Sequence, residues 1–219
     1  MLLLQISQTL TQTQNQAGPL APALIVFGDS IVDPGNNNGM QTLAKSNFPP
    51  YGQNFAGRIP TGRFSNGKIP PDIIASKLGI KEYLPAYLDQ ELSPDDLLTG
   101  VSFASGASGY DPLTSKIPVR TNSIYHYWFG LQVLSPSDQL KLFEEYKEKL
   151  RAVAGEERAA SIISESFYSV CFGSDDLANT YFATPFRQAE YDLPSYVDFM
   201  VTSAVGFLKQ EELYKDETL

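Results

Sequence analysis

Residues 23 to 30 read ALIVFGDS, an apolar run followed by a small polar turn. Five apolar residues lie between Pro22 and Gly28. A short continuous apolar run with such boundaries is typical of a strand buried on both faces, as in a parallel sheet. The Gly-Asp-Ser turn then falls at the carboxyl end of that strand, where sheets of this kind bind ligands. Ser30 has two interpretations here, a catalytic nucleophile or the N-cap of a helix that follows.

The rest of the chain alternates helices with strands. A helix is predicted from Pro71 to Leu78, and the clearest helix follows Ser135, which forms a capping box with Asp138 and ends at Gly155. Further predictions are a long loop over 47–71, a short strand at 101–103, a helix at 156–164, a buried strand in SFYSVCFGS and a last helix in the segment that begins LPSYVDF. The alternation predicts an α/β fold whose parallel sheet carries helices on its faces. Its strands end at GDS, ASGASG and GSDD, so three loops of small and acidic residues are expected at one edge.

Composition narrows the function. The 219 residues suffice for one domain with a sizeable core, and no run is long enough to cross a bilayer. A formal net charge of −9, with only 16 Lys and Arg, disfavours nucleic acid and anionic membranes as partners. One cysteine and one histidine, His126, leave too few ligands for a His/Cys zinc site. The residues before Ala23 lack an early Lys or Arg, which predicts a flexible leader or a degenerate signal segment at 1–22.

Four segments carry a resemblance to a known family. They read, in order, VFGDSIVDPGNNN, TGRFSNGKIPPDIIASKLG, GVSFASGASGYD and FGSDDLANTYF. Together they resemble the sequence blocks of the GDSL esterases and lipases, a family of the SGNH hydrolases, and its plant branch in particular. The resemblance implies a three-layer α/β/α fold with a parallel central sheet. It also implies an extracellular hydrolase of carboxylic esters that acts on lipid or other acyl esters through an acyl-serine intermediate, without metal or cofactor.

The same resemblance assigns roles to three residues. Ser30 is the nucleophile, and its backbone amide and that of Gly106 belong to the oxyanion hole. Such preorganised donors matter because loss of one reduces turnover by about 10²- to 10³-fold. The family's third donor is an asparagine side chain, and this chain has Asp175 at that position. An ionised carboxylate only accepts hydrogen bonds, so the hole requires a protonated or rotated Asp175, or another donor such as Asn179.

Other residues in these blocks have structural interpretations. Asp176 is expected to cap the segment LANTYF, and Asn36–Asn38 to form Asx turns rather than to contact substrate. Gly106 is alternatively a glycine required by a tight turn, with Gly100 and Gly109 as competitors for the oxyanion role.

The late part of the family pattern is the main departure. The family takes its base and orienting acid from a D-x-x-H block, and the sequence reaches Leu219 without one. A serine hydroxyl needs such a base to be nucleophilic near neutral pH. His126 lies in an aromatic-rich segment, which favours simple packing for this side chain over a role as base. We therefore expect residues 23–219 to be a partial domain, incomplete at its C-terminal end. An inactive ester-binding or interaction module is the alternative function.

Overall fold

The computed structural model describes residues 18–116, 118–120, 128–130 and 133–216. The strands are β1 (Leu24–Gly28), β2 (Pro118–Arg120), β3 (Trp128–Gly130) and β4 (Phe167–Cys171). The helices are α1 (Pro70–Lys77), α2 (Pro94–Thr99), α3 (Pro136–Ala154), α4 (Glu156–Glu165), α5 (Pro185–Gln188) and α6 (Leu193–Asp216). Short 3₁₀ turns lie at Asn36–Gly39, Ala56–Arg58 and Thr114–Lys116, and a π-helical turn lies at Asp176–Tyr181.

The main sheet is parallel. Strand β1 pairs with β4 in a register that runs from Leu24 opposite Phe167 to Gly28 opposite Cys171. On its other side, single parallel bridges join Val26 to Ser102 and Ser102 to Ala86. The strand predicted at 101–103 is thus reduced to a single bridge residue, Ser102, beside β1, and the order across the sheet is β4, β1, the segment around Ser102 and the segment around Ala86. Strands β2 and β3 form a separate antiparallel pair.

Strand β1 is buried on both faces, as predicted. Its alternate residues Ile25 and Phe27 point into one apolar core, and Leu24 and Val26 point into another. The first core is closed by α3, α4 and Phe207 of α6, and the second receives α1. Helices thus cover both faces of a parallel sheet, which confirms the α/β/α fold class. Two aromatic rings of the first core, Phe27 and Phe103, stack with centroids 5.2 Å apart.

Helix α3 shows why local sequence predicts some elements well. The Ser135 hydroxyl accepts the amide of Asp138, and the Asp138 carboxylate accepts the amide of Ser135, which is the predicted capping box. Pro136 occupies the first turn, where its missing N–H has no helical partner to lose. Gly155 ends the helix with a φ of 81°, a conformation that glycine adopts without strain.

Strand β4 differs from its prediction. A fully buried strand was predicted in SFYSVCFGS, but Phe167 is 47% exposed and the other four residues are half-buried. The reason is that β4 pairs along one edge only, with β1, in the part of the chain that the structure describes. None of the helices in the described ranges combines the length and apolar character that a bilayer crossing requires.

The long loop before α1 is held by a buried ion pair. The Arg63 guanidinium donates to both carboxylate oxygens of Asp72, at 2.8 and 2.9 Å, and also to the Leu84 carbonyl at 2.9 Å. The Asp72 carboxylate in turn accepts the amides of Ile69 and Leu84. This network fixes the loop against both α1 and the sheet.

Candidate active site

Ser30 lies on a tight turn directly after β1. The Asp29 carboxylate accepts the Ile31 amide at 3.0 Å, and the Val32 amide donates to the Asp29 carbonyl at 3.2 Å. No helix starts at this turn, and the half-buried Ser30 hydroxyl makes no hydrogen bond to another described residue. The interpretation of Ser30 as a helix cap is therefore wrong. Its hydroxyl is left free for other chemistry.

Gln139 of α3 holds the start of this turn through hydrogen bonds to Gly28. Its side-chain amide accepts the Gly28 N–H and donates to the Gly28 carbonyl, both at 2.9 Å. A side chain at Gly28 would overlap Val32 and the Cys171 carbonyl, so only glycine fits where β1 ends. The N–H and the carbonyl of Gly28, two residues before Ser30, are thus both held by the Gln139 side chain.

The loop after β4 comes next to the Ser30 turn. The Ser174 hydroxyl donates to the Asp29 carboxylate at 2.8 Å, and the Asp29 amide donates to the Cys171 carbonyl at 2.9 Å. Burial raises the pKa of Asp29, while the bonds from Ile31 and Ser174 lower it. These contacts bring together Asp29 and Ser174, the immediate neighbours of Ser30 and Asp175.

The loop after the segment around Ser102 is held to the first loop by Asp33. The Asp33 carboxylate accepts the amides of Gly35 and Asn36 at 2.8 Å each, and that of Gly106 at 2.9 Å. Burial raises the pKa of Asp33 to about 6, although the three amides and the Arg63 charge oppose the shift. The Gly106 N–H, predicted as an oxyanion donor, is therefore already bonded to a carboxylate.

The asparagine run acts across the fold and not within local turns. The Asn36 amide donates to the carbonyls of Ser102 and Ala104, and the Asn37 amide donates to that of Gly106. The prediction of Asx turns at Asn36–Asn38 is wrong for these two side chains, because none of the hydrogen bonds given for them goes to a backbone group within the next three residues. The structural interpretation of the run nevertheless stands.

Asp176 joins the second and third loops. Its carboxylate accepts the amides of Tyr110 and Asp111 at 2.9 and 2.8 Å and the Thr114 hydroxyl at 2.7 Å. The expected role of Asp176 as a cap on LANTYF is therefore wrong, since its donors lie more than 60 positions earlier in the chain. Gly109 packs so closely against this carboxylate that any side chain there would overlap it. Lack of space is therefore a structural reason for a glycine at position 109.

Asp175 is the least satisfied of the acidic residues here. The Asn179 side-chain amide donates to its Oδ1, while its buried Oδ2 has no hydrogen-bond partner among the described residues. Burial raises the pKa of Asp175 to about 6, and the negative charges of Asp29 and Asp176 act in the same direction. The amide of Ala107 and the Asn179 side chain oppose this shift. Asn179 therefore serves Asp175 in this structure and is not a separate free donor.

Backbone strain occurs at the same place. Ala107, directly after Gly106, has a φ of 67°, a left-handed conformation that non-glycine residues rarely adopt. Such conformations persist where the surroundings impose them, often at functional sites. The Ala107 amide faces the Asp175 carboxyl.

The structure thus gathers the loops of Ser30, Gly106 and Asp175, linked through Asp29–Ser174 and Asp33–Gly106. His126 lies outside the described residues. Sequence reasoning missed Gln139, Asp33 and the strained Ala107. For Gln139 no signal was available, because a glutamine on an amphipathic helix is ordinarily solvated. Asp33 stands two residues before Gly35, a spacing that is typical of side-chain-to-backbone turns and could have drawn attention to it.

Two surface cavities lie away from the Ser30 turn. One of about 620 Å³ lies beside Pro34, Arg63 and Leu88, and one of about 390 Å³ lies between Tyr110 and Phe207. Neither is lined by Ser30, Gly106 or Asp175. Within the described ranges, His, Cys, Asp and Glu side chains form no group of three able to hold a metal ion.

Comparison with known proteins gives the family. The model of the GDSL-like lipase/acylhydrolase family matches residues 24–198. The Arabidopsis thaliana GDSL esterase/lipase At3g14820 is 53% identical over 189 residues, which is 86% of this chain and 49% of that protein. GDSL esterase/lipase EXL2, also from Arabidopsis thaliana, is 46% identical over 215 residues, which is 98% of this chain and 57% of that protein.

These matches also show the extent of the likeness. The chain spans about half the length of the relatives it matches. No solved structure matches it. The matched region includes all three loops around Ser30, and the chain belongs to the GDSL-like lipase/acylhydrolase family.

Proposed function

We propose that this chain carries the nucleophile of a carboxylic-ester hydrolase, with Ser30 forming an acyl-enzyme. The observation that carries the proposal is the free Ser30 hydroxyl on a hydrogen-bonded turn at the carboxyl end of β1, where two further loops contact the turn. Ligands of parallel sheets bind at this edge. Relatives named esterase/lipase support the reaction class.

In the proposed reaction the Ser30 oxygen attacks the ester carbonyl carbon, and its proton passes to a general base. The tetrahedral intermediate then collapses, the bond to the alcohol oxygen breaks, and the proton goes to the departing alcohol. Water then attacks the carbonyl carbon of the acyl-enzyme and gives a proton to the base, the bond to the Ser30 oxygen breaks, and Ser30 recovers the proton as the acid leaves. No residue of this chain is assigned as that base, because His126, its single histidine, is predicted to serve packing.

The turn formed by Gly106 and Ala107 is the proposed source of a backbone donor to the oxyanion, together with the amide of Ser30. The Gly106 amide is bonded to Asp33 at 2.9 Å. Its predicted role therefore requires that bond to be shared or released during the reaction. The Ala107 amide, which faces Asp175, is the alternative donor on the same turn.

The proposed substrates are small-molecule or lipid esters, and the acyl chain and alcohol are unspecified. A chain with 25 Asp and Glu against 16 Lys and Arg supports an uncharged ester over a polyanion as substrate. The roles in lipid degradation and outside the cell implied by the family resemblance likewise stay proposals.

The test compares the purified chain with Ser30→Ala and Ser164→Ala. Ser164 is an exposed serine on α4, so its replacement is the matched control. We expect hydrolysis of a short-chain p-nitrophenyl ester by the chain and by the control. Ser30→Ala should lose it, and mass spectrometry should place a fluorophosphonate adduct on Ser30. Equal rates for the chain and Ser30→Ala would contradict the proposal, and ester binding without turnover would support the inactive module.

A further inference from the structure

Helix α6 has an exposed apolar face in addition to its buried one. The buried face includes Tyr196 and Phe207, which pack against the rest of the fold. Single exposed apolar residues need no explanation, but a contiguous apolar patch on a surface marks an interaction site. The exposed face, which we call the α6 stripe, consists of leucines and valines that are 40 to 56% exposed: Leu193, Val197, Val201, Val205 and Leu208.

The spacing of the α6 stripe is that of a helix–helix contact. Its successive members lie four, four, four and three residues apart, so they form one ridge along the rows that join residues i and i+4. The ridge extends over about 22 Å of the helix. Ridges of this class pack into the grooves of a neighbouring helix, and this is the commonest way in which two helices meet. The stripe therefore fits a second helix that lies along α6.

Two charged side chains on one flank of the stripe identify that second helix. Asp198 and Lys209 are both exposed, and neither forms an ion pair with a described residue. At about 100° per residue they project only about 20° apart around the helix, although about 16 Å separates them along its axis. One flank of the stripe thus has a negative group toward one end and a positive group toward the other. An identical helix that runs in the opposite direction matches both charges.

We propose that two copies of this chain associate through the α6 stripe, with their α6 helices side by side and antiparallel. A two-fold axis near position 203 places Val201 of each copy beside Val205 of the other, and Asp198 of each copy beside Lys209 of the other. The contact is isologous, so one stripe covers the other. A parallel pair of helices would leave these charges on opposite flanks and unpaired. The inference does not depend on the proposed function.

Sedimentation velocity over a concentration series tests for this dimer. One pair of helices buries less than the about 800 Å² per partner of a standard interface, so we expect a weak dimer that forms between about 5 µM and about 500 µM. Val201→Glu puts an unpaired charge into the apolar contact and should raise the dissociation constant at least about 10-fold. Ser195→Glu adds the same charge to an exposed position of α6 outside the stripe and should leave the dissociation constant unchanged.

A charge exchange tests the antiparallel order of the two helices. Asp198→Lys and Lys209→Asp should each weaken the dimer, because each places like charges beside one another. The variant that carries both substitutions should regain the dissociation constant of the wild-type chain to within about 2-fold, since the pair is restored with its signs reversed. If both single variants weaken the dimer and the double variant does not recover it, the antiparallel arrangement is wrong and the inference is overturned.

Other occupants of the stripe would give different results. A chain that stays monomeric up to about 500 µM overturns the inference, whether its stripe then binds phosphatidylcholine vesicles or the part of the longer relatives that this chain does not match. A dimer that Val201→Glu leaves intact overturns it as well. Neither measurement involves ester hydrolysis, so the failure of this inference and the failure of the proposed function are distinguishable.

Discussion

The Asp33 carboxylate accepts the backbone N–H of Gly106 at 2.9 Å, across 73 positions of sequence. The same carboxylate accepts the amides of Gly35 and Asn36. One buried side chain therefore shapes the first loop and fixes the second loop to it. The loop that carries the candidate nucleophile and the loop proposed to supply the oxyanion donor are thus held together by a side chain that has no assigned role in the reaction.

This arrangement predicts a pH-dependent contribution of Asp33 to stability. Its pKa in the folded protein is about 6, above the ordinary 3.8, so the folded state binds more protons between these values. The stabilising contribution is thus complete below about pH 4 and is lost as the pH rises through 6. Relative to Asp33→Asn, the free energy of unfolding of the wild-type chain should fall by on the order of 3 kcal/mol between pH 4 and pH 7.

Urea unfolding of both proteins at the two pH values measures this difference. Asp198→Asn shows the effect of replacing an exposed aspartate. If the difference in free energy of unfolding between the wild-type chain and Asp33→Asn is the same at pH 4 and pH 7, then Asp33 has an ordinary pKa.

The Arg63–Asp72 pair is predicted to be among the most sensitive contacts outside the site. Arg63→Ala leaves the Asp72 carboxylate buried with only the amides of Ile69 and Leu84. Removing one partner of a buried ion pair costs about 3–5 kcal/mol. Arg63→Lys should recover only part of the lost free energy of unfolding, because lysine cannot form the bidentate hydrogen bonds that Arg63 makes to both Asp72 oxygens.

The exposed pair Lys68–Glu82, with N and O 3.2 Å apart, is the control for this prediction. Glu82→Ala should change the free energy of unfolding by less than about 1 kcal/mol, since water already screens the pair. Equal effects of Arg63→Ala and Glu82→Ala in denaturant unfolding would contradict the assignment of Arg63 as a buried structural ion.

The sequence predicted the elements whose signals are local. β1 has apolar residues between a proline and a glycine, and α3 carries its cap, its first-turn proline and its final glycine within about 20 residues. Each such signal acts through hydrogen bonds or sterics between near neighbours, which a sequence displays directly. The resemblance then placed Ser30, Gly106 and Asp175 on three loops, and the structure shows those loops meeting.

The polar contacts between loops were not predictable in this way. Asp33 reaches Gly106, Asp176 reaches Tyr110, and Gln139 reaches Gly28, each over more than 60 positions. Nothing in the local sequence distinguishes a buried carboxylate with distant partners from a solvated one. The half-exposed β4 has the same origin, because burial of a strand depends on what pairs with its second edge and not on its own apolar content.

Gln139 is predicted to stabilise the nucleophile turn through the backbone of Gly28. Gln139→Ala leaves the Gly28 N–H buried without an acceptor and should cost about 2–4 kcal/mol of unfolding free energy. The exposed Gln90→Ala should change it by less than about 0.5 kcal/mol. We also expect slower fluorophosphonate labelling of Ser30 in folded Gln139→Ala than in the wild-type chain. Labelling at the wild-type rate would show that the turn holds its geometry without Gln139.

Gly106 is predicted to be required for space and not for backbone freedom. Its φ lies outside the left-handed region, but a Cβ there would overlap the Phe64 ring and come within 3.2 Å of the Asn37 side-chain amide. Gly106→Ala should therefore destabilise the chain by about 1–3 kcal/mol through overpacking. Gly39 has no atom within 4 Å of the corresponding position, so Gly39→Ala is the matched control and should have little effect. Thermal unfolding of both variants measures this difference in stability. If the two variants unfold at the same temperature, then the Phe64 ring moves aside at no cost, and the prediction that Gly106 is required for space is wrong.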